Sequence, residues 1–114
     1  MDKNKLFMVL AEPNRREILD LLRVKEHSVG ELVGLLSLSQ PGISKHLRIL
    51  RDAGLVTVRN EGQTRLYGLN AEPLYEIHSW FEPYHHYWSA KLDDLEKHLE
   101  SESKSMGSKK IRVK

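Results

Sequence analysis

Apolar side chains near the start of the chain recur every three or four residues, as they do along one face of a helix. Between residues 6 and 24 they form two stripes, the first of Leu6, Val9 and Leu10 and the second of Ile18, Leu19, Leu21 and Leu22. Pro13 stands between the stripes. Proline is tolerated in the first turn of a helix, because the amide that it lacks has no intrahelical partner there. The pattern predicts two short helices or one helix bent at Pro13.

A further short helix is predicted to begin at Ser28. Ser28 and Glu31 are three residues apart, the spacing of a capping box in which each side chain accepts a hydrogen bond from the other residue's backbone amide. The apolar residues that follow are Leu32, Leu35 and Leu36. The run Ser37-Leu38-Ser39 then interrupts the pattern, so we expect the helix to end there.

The next helix is predicted over residues 40–53. Ser39 is a favourable N-cap for it, and Pro41 is tolerated in its first turn. Gly54 is the residue best able to take the left-handed conformation that ends a helix. Two helices joined by about three residues, the second about 13 residues long, have the proportions of a helix-turn-helix.

The pattern changes to that of β-strands after Gly54. Residues 55–59 and 64–69 are rich in β-branched and aromatic side chains, which favour strands. Between them lie residues 60–63, Asn-Glu-Gly-Gln, a polar segment with a glycine that is typical of a turn. We therefore predict a β-hairpin directly after the helix-turn-helix, which is the position of a wing.

From Ala71 the helical period returns. Its apolar positions step by three or four residues and are Leu74, Ile77, Phe81, Tyr84, Trp88, Leu92, Leu95 and Leu99. Pro83 is expected to kink this helix or to split it in two. The predicted fold is mainly α with a small β-hairpin, a winged helix-turn-helix with a long, proline-kinked C-terminal helix. We expect one domain over residues 1–100 and a disordered, basic tail over residues 101–114.

Composition limits the classes of protein to consider. At 114 residues the chain has room for one domain and none for a separate catalytic module. It has no cysteine, which excludes disulfide scaffolds, thiolate metal sites and cysteine nucleophiles. No apolar run approaches the roughly 18 residues of a membrane span, and the start of the chain is unlike a signal peptide, so we expect a cytoplasmic protein with no membrane partner. We expect no enzyme, since there is no nucleophile elbow, ordered triad or Gly-rich phosphate loop.

Charge is distributed unevenly along the chain. Residues 37–70 carry five Lys or Arg and two Asp or Glu, residues 71–100 carry two and seven, and residues 101–114 carry five and one. A basic centre, an acidic segment after it and a basic tail favour a polyanion such as DNA as the partner.

The second helix of the predicted helix-turn-helix has an apolar and a polar face. At about 100° per residue, Ile43, Leu47 and Leu50 share the face that we expect to pack in the core. The residues that face outward are Ser44, Lys45 and Arg48. Side chains near the N-terminus of a recognition helix contact base edges in the major groove. Gln40 is a further candidate, because glutamine can pair with adenine N6 and N7.

Other polar residues have two interpretations each. His46 lies about 60° off the apolar stripe, so it is either a histidine packed and hydrogen-bonded at the edge of the core or a DNA contact. Arg59, Gln63 and Arg65 surround the predicted turn of the wing, where side chains reach phosphate or the minor groove but where any exposed hairpin is also charged. Two residues that belong either to a solvated face or to a phosphate contact are Arg15 and Arg16.

Three segments of the chain resemble the ArsR/SmtB family of winged-helix transcriptional repressors. The segments are LAEPNRREILDLLR, LSQPGISKHLRILRDAGLV and RLYGL, and the resemblance covers about residues 4–70. It implies a bacterial or archaeal homodimeric repressor that reads an inverted-repeat operator in double-stranded DNA, with its fourth helix in the major groove and its wing alongside. Compared residue by residue, the DNA-facing run of the family matches Ser39, Gln40, Ser44, Lys45 and His46.

The resemblance also assigns a role to the last helix. Its aromatic sequence, WFEPYHHYWSAKLDDLEKHL, looks like a branch of the family without metal ligands, in which this helix packs against the partner subunit. The dimer-interface residues that this implies are Leu6, Trp80, Phe81, Tyr84, Tyr87, Trp88, Leu92 and Leu95. The alternative is that the aromatic side chains fill the core of the chain itself, or that they serve both surfaces.

Metal-sensing members of the family use a cysteine pair before the recognition helix, or an Asp/His/Glu set on the last helix. The chain has no cysteine, and the position eleven residues after His78, where the second set requires histidine, is Ser89. We therefore expect no metal ion and no cofactor, and the sequence identifies no effector.

Two alternative functions stay open, a winged helix that binds protein and a metal-responsive repressor. The ligands of the second would come from His78, His85, His86 and His98.

Overall fold

The computed structural model describes residues 2–106, with side chains placed through Glu100. The first four helices are α1 (Lys3–Leu10), α2 (Pro13–Val24), α3 (Val29–Leu36) and α4 (Gln40–Asp52). Strands β1 (Val56–Glu61) and β2 (Thr64–Leu69) follow, and then α5 (Leu74–Phe81), a 3-10 turn (Glu82–Tyr84) and α6 (His85–Met106). The protein is mainly α with a small hairpin, arranged as a winged helix-turn-helix, which confirms the predicted fold.

The first predicted helical segment forms two separate helices. Pro13 occupies the first turn of α2. The Glu12 carboxylate caps that helix by accepting a hydrogen bond from the backbone amide of Arg15 at 3.2 Å. Of the two arrangements that the sequence allows around Pro13, the chain therefore adopts two short helices.

Arg15 and Arg16 hold the end of α1. Arg15 Nη1 donates to the carbonyl of Val9 at 3.2 Å, and Arg16 Nη1 donates to the carbonyls of Leu10 at 2.7 Å and Ala11 at 3.3 Å. The last carbonyls of a helix have no intrahelical partner, and a cation near them also complements the helix dipole. Both arginines therefore stabilise the junction of α1 and α2, a role that their positions in the sequence do not indicate.

The helix-turn-helix begins and ends where the sequence predicts. Ser28 Oγ accepts a hydrogen bond from the Glu31 amide at 3.2 Å, and Glu31 Oε1 accepts one from the Ser28 amide at 2.9 Å, which completes the capping box. The bond from the Ser28 amide lowers the pKa of the Glu31 carboxyl. Ser39 Oγ caps α4 by accepting from the Gly42 amide at 3.1 Å. After α4, Gly54 has the left-handed conformation, with φ of 77°.

The hairpin is longer, and its turn shorter, than the sequence predicts. β1 and β2 pair antiparallel along their whole length, so that Glu61 lies opposite Thr64. Gly62 and Gln63 alone form the turn, and Gly62 has φ of 64°, which glycine adopts without strain. The predicted four-residue turn is therefore wrong, because Asn60 and Glu61 belong to β1.

A single residue before α3 adds a third strand position to the hairpin. The His27 amide donates to the Tyr67 carbonyl at 3.0 Å, and the Tyr67 amide donates to the His27 carbonyl at 2.8 Å. The side chain of His27 is buried. This bridge ties the connection between α2 and α3 to the base of the wing.

One hydrophobic core joins the first four helices to the hairpin. Its largest fully buried side chains are Leu6, Ile18, Leu32, Ile43, Leu47, Leu50 and Leu55. Leu6 is 0% exposed in the single chain, so it packs in the core of that chain. Its place at a dimer interface stays a prediction. Periodicity places a residue on an apolar stripe but does not say which surface covers that stripe.

The chain forms two compact units that divide after Ser79, within α5. In the second unit, Pro83 lies in the 3-10 turn between α5 and α6, so the predicted long helix is split. Helix α6 continues to Met106, six residues past the predicted end of the domain, and residues 107–114 lie outside the described residues. The disorder of the tail stays a prediction. Among residues 2–106, no helix is long and apolar enough to cross a membrane.

Gly34→Ala is expected to raise the free energy of unfolding by about 0.5–1 kcal/mol, because glycine inside a helix costs about this much relative to alanine. Gly34 lies in α3, and a Cβ atom there would have no atom within 4 Å. Urea denaturation of both proteins measures the difference. Gly62→Ala is the matched control, and it should lower stability because its φ of 64° is strained for alanine. An equal gain in both variants would contradict the argument.

Candidate nucleic-acid interface

Helix α4 presents one face to the core and the other to solvent. Ile43, Leu47 and Leu50 are buried. The exposed side carries four polar residues, which are Gln40, Ser44, Lys45 and Arg48. Within the part of the chain that the structure describes, none of these four side chains makes a hydrogen bond or an ion pair. Their donors and charges are therefore available to a ligand.

The exposed face of α4 has a shallow depression close to the N-terminus of the helix. It is lined by Pro41, Ser44, Lys45 and Arg48. The free amides at a helix N-terminus carry partial positive charge, which adds to the two cations. Ser39 lies at the start of the helix, but its hydroxyl oxygen is already used as the N-cap. The face therefore suits a polyanion, and Ser39 contributes by setting where the helix begins.

His46 lies on α4 but turns away from this face. Its side chain is only 17% exposed. Its Nδ1 accepts a hydrogen bond from Arg15 Nε at 3.4 Å, and its Nε2 lies 3.8 Å from a carboxylate oxygen of Glu12. Of the two interpretations that the sequence leaves open, the packed and hydrogen-bonded histidine describes this geometry. His46 thus joins α4 to the junction of α1 and α2.

Arg59 of the wing is engaged by two carboxylates of the same chain. Its Nε donates to both oxygens of Glu26 at 2.9 and 3.0 Å, and its Nη2 contacts Glu26 at 2.9 Å and Glu61 at 3.0 Å. The Glu26 carboxylate raises the pKa of the Arg59 guanidinium, with a smaller effect from Glu61. In the free protein the positive charge of Arg59 is therefore balanced by neighbouring carboxylates.

The two other predicted wing residues are not engaged in this way. Arg65 lies beside Tyr67, with its guanidinium carbon 5.8 Å from the centre of the ring, a cation–π contact. Within the described residues, Arg65 has no ion pair. Gln63 is exposed in the two-residue turn. The structure thus places Arg65 and Gln63 at the exposed end of the wing, where they can contact a ligand.

The sequence analysis missed Glu12 as a partner of His46 and Glu26 as a partner of Arg59. Glu61 lies two residues from Arg59, and residues two apart on a strand share a face, but the sequence analysis places Glu61 in the turn. Glu26 lies 33 positions from Arg59 and carries no local signal of the contact.

Two histidines of the C-terminal half, His78 and His85, lie beside aromatic rings. Tyr75 and His78 have ring centres 5.8 Å apart, and those of His85 and Trp88 are 5.0 Å apart. Among residues 2–106, no group of three or more His, Asp or Glu side chains could hold a metal ion. The expectation of no metal stays a prediction.

Large apolar side chains are exposed along the second unit. Trp80 packs edge-on against Phe81 and tilted against Tyr84, both with ring centres 5.2 Å apart. The exposed large hydrophobic residues described in this unit are Trp80, Phe81, Tyr84, Tyr87, Trp88, Leu92 and Leu95. They make an apolar surface that favours a protein partner.

Comparison with known proteins agrees with this geometry. Residues 12–58, which include the helix-turn-helix, match the family described as "Bacterial regulatory protein, arsR family". The transcriptional repressor SdpR of Bacillus subtilis is 35% identical over 77 residues, which are 68% of this chain and 86% of that protein. The chain belongs to the ArsR family.

Other transcriptional regulators match over a similar part of the chain. The transcriptional activator HlyU of Vibrio cholerae serotype O1 is 43% identical over 76 residues, which are 62% of this chain and 70% of that protein. The crystal structure of a possible transcriptional regulator for arsenical resistance has a TM-score of 0.61 and 38% identity, and the match covers 78% of this chain and 90% of that one. The ArsR family consists of transcriptional regulators rather than enzymes, and this chain is a DNA-binding regulator with a winged helix-turn-helix.

Proposed function

We propose that the protein is a homodimeric repressor that binds an inverted-repeat operator through α4 and the wing. The observation that carries the proposal is the exposed face of α4, where Ser44, Lys45 and Arg48 have no partner within the described residues. The opposite face of the same helix is buried in the core, so these side chains are presented on a rigid element. Gln40, Gln63 and Arg65 extend the proposed surface.

The homodimer is inferred from the exposed aromatic surface of the second unit. A concentration of exposed aromatic residues on a small protein marks a protein contact more often than a solvated surface. A two-fold dimer presents two copies of α4 to DNA, so its operator should have two inverted half-sites about one helical turn, roughly 34 Å, apart. A protein with this function works in the compartment that holds the chromosome, which in a bacterium is the cytoplasm.

Repression follows from occupancy of the operator. A dimer bound across two half-sites within a promoter competes with RNA polymerase for the same DNA. The relative SdpR is named a repressor, which supports this direction of control, whereas HlyU is named an activator. Transcription from the promoter in a purified system, measured with increasing amounts of the protein, decides between the two.

The binding proposal is tested by fluorescence anisotropy with DNA from upstream of the protein's own gene. A shuffled duplex of equal length and composition is the control. We expect tighter binding to the upstream DNA, and a steep loss of affinity between 50 and 200 mM salt, because bound Lys and Arg release phosphate counterions. Equal, weak and salt-insensitive binding to both duplexes would contradict the proposal and would favour a winged helix that binds protein.

Zinc is expected to change operator affinity by less than a few-fold, and EDTA likewise. Thiolate ligands are absent from the sequence, and His85 and His86 are adjacent, so they point about 100° apart on a helix. Calorimetric titration with zinc, followed by anisotropy with and without the ion, measures both effects. Submicromolar binding of one zinc ion per chain that also releases DNA would contradict this prediction. Single His→Ala variants at residues 78, 85, 86 and 98 would then identify the ligands.

A further inference from the structure

The two arginines of the wing lie on opposite faces of the hairpin. Arg59 pairs with Leu66 across the strands, and Thr57 and Glu61 share its face because side chains alternate along a strand. Arg65 lies on the other face, together with Tyr67. The two faces therefore carry separate cations with different surroundings.

Glu26 is fixed next to Arg59 by the backbone. The bridge between His27 and Tyr67 holds the preceding residue, Glu26, against β2. Gly68 follows Tyr67, and a Cβ atom at Gly68 would lie 3.4 Å from both Cγ and Oε2 of Glu26. Glu26 thus lies directly over the space that the missing side chain of Gly68 leaves. From there its carboxylate reaches Arg59 with two oxygens.

This arrangement cancels the charge of one wing arginine. Two carboxylates, those of Glu26 and Glu61, contact the single guanidinium of Arg59. Together these three groups have a net charge of −1 in the free protein, although Arg59 considered alone would make this face of the hairpin basic. Arg65, on the other face, has no ion pair within the described residues.

The ion pair between Glu26 and Arg59 is open to competition. The side chain of Arg59 is 53% exposed and that of Glu26 is 39% exposed. Exposed ion pairs of this kind are weak, because both partners are well solvated when separated. A DNA phosphate, which is also a multidentate acceptor for arginine, can therefore take the place of Glu26.

From this geometry we infer that Glu26 limits the DNA affinity of the protein by competing with phosphate for Arg59. The inference rests on the proposed function, since it requires that the wing meets DNA. Binding then includes the cost of separating Arg59 from Glu26, and the displaced carboxylate lies near the phosphate backbone. Glu26 acts through Arg59 and without contact to DNA, so it sets affinity for all sequences rather than preference among them.

Glu26→Gln tests the inference, because glutamine keeps the shape of the side chain and removes its charge. We expect binding to tighten by about two- to fivefold, the range that an exposed ion pair can account for. We expect the slope of log K against log salt concentration to stay nearly the same, because Arg59 neutralises the same phosphate in both complexes. Anisotropy titrations from 50 to 200 mM salt, with the upstream DNA and with the shuffled duplex, measure both values.

The matched control is the same substitution in an Arg59→Gln background, where Glu26→Gln should tighten binding clearly less than it does in the presence of Arg59. An equal gain in both backgrounds would mean that Glu26 acts only by long-range repulsion and would overturn the inference. Unchanged operator affinity in the Glu26→Gln protein would also overturn it. If the wild-type protein binds neither duplex, the proposed function fails and the inference with it. If the wild type binds and only the Glu26 effects are absent, the role of Glu26 alone is rejected.

Discussion

Trp88→Ala is expected to weaken self-association by about 100-fold, which corresponds to about 3 kcal/mol. Trp88 is 40% exposed in the single chain, on the same stripe of α6 as Leu92 and Leu95, which are also exposed. A tryptophan at the centre of an interface buries a large apolar area, and its truncation leaves a void that neighbouring side chains do not fill. Sedimentation equilibrium over nanomolar to micromolar concentrations measures the dissociation constant.

Lys97→Ala is the control for this experiment. Lys97 lies nine residues after Trp88, which places it about 180° around the same helix, so its removal should leave the dissociation constant nearly unchanged. Thermal unfolding of each variant separates a loss of association from a loss of folding. A wild-type protein that is monomeric at micromolar concentration and still binds its operator tightly would contradict the proposed dimer.

Lys45→Ala is expected to weaken operator binding by about 1–3 kcal/mol, or about five- to 150-fold. Lys45 is exposed on α4 and has no ion pair within the described residues, so its removal breaks nothing in the free protein. Anisotropy with the operator and with a shuffled duplex shows how Lys45 acts. A base contact predicts a larger loss on the operator, whereas a phosphate contact predicts the same loss on both.

Arg51→Ala is the matched control, because Arg51 is an exposed cation in the last turn of the same helix. Its removal should cost less, since the N-terminal half of a recognition helix is the part that meets base edges. Operator affinity that is unchanged in the Lys45→Ala, Ser44→Ala double variant would show that this face of α4 does not read DNA.

The features that could be predicted from the sequence are those that neighbouring residues decide. Both helix caps act over three residues, so their spacing alone predicts where α3 and α4 begin. They are the capping box of Ser28 and Glu31 and the N-cap Ser39. The inward stripe of α4 follows in the same way from helical periodicity. These local rules were sufficient to predict the helix-turn-helix and the face that we propose reads DNA.

The contacts that could not be predicted join distant parts of the chain. Arg15 and His46 are 31 positions apart, and Glu26 and Arg59 are 33 positions apart. Each residue looks like an ordinary surface residue in the sequence, because only the packing of the elements brings the pairs together. Leu6 is a similar case. Helical periodicity identifies its apolar stripe, but only the tertiary packing shows that the core of the chain covers Leu6.

The bond between Arg15 and His46 bears on how regulators of this design can acquire new targets. His46 is tied to the α1–α2 junction, so changing it alters the framework as well as the surface. The neighbouring positions Gln40, Ser44, Lys45 and Arg48 have no such ties within the described chain. After gene duplication, substitutions at these four positions can retarget one copy to a different promoter while both copies keep the same scaffold. A combinatorial library for altered specificity should therefore vary these four residues and leave His46 unchanged.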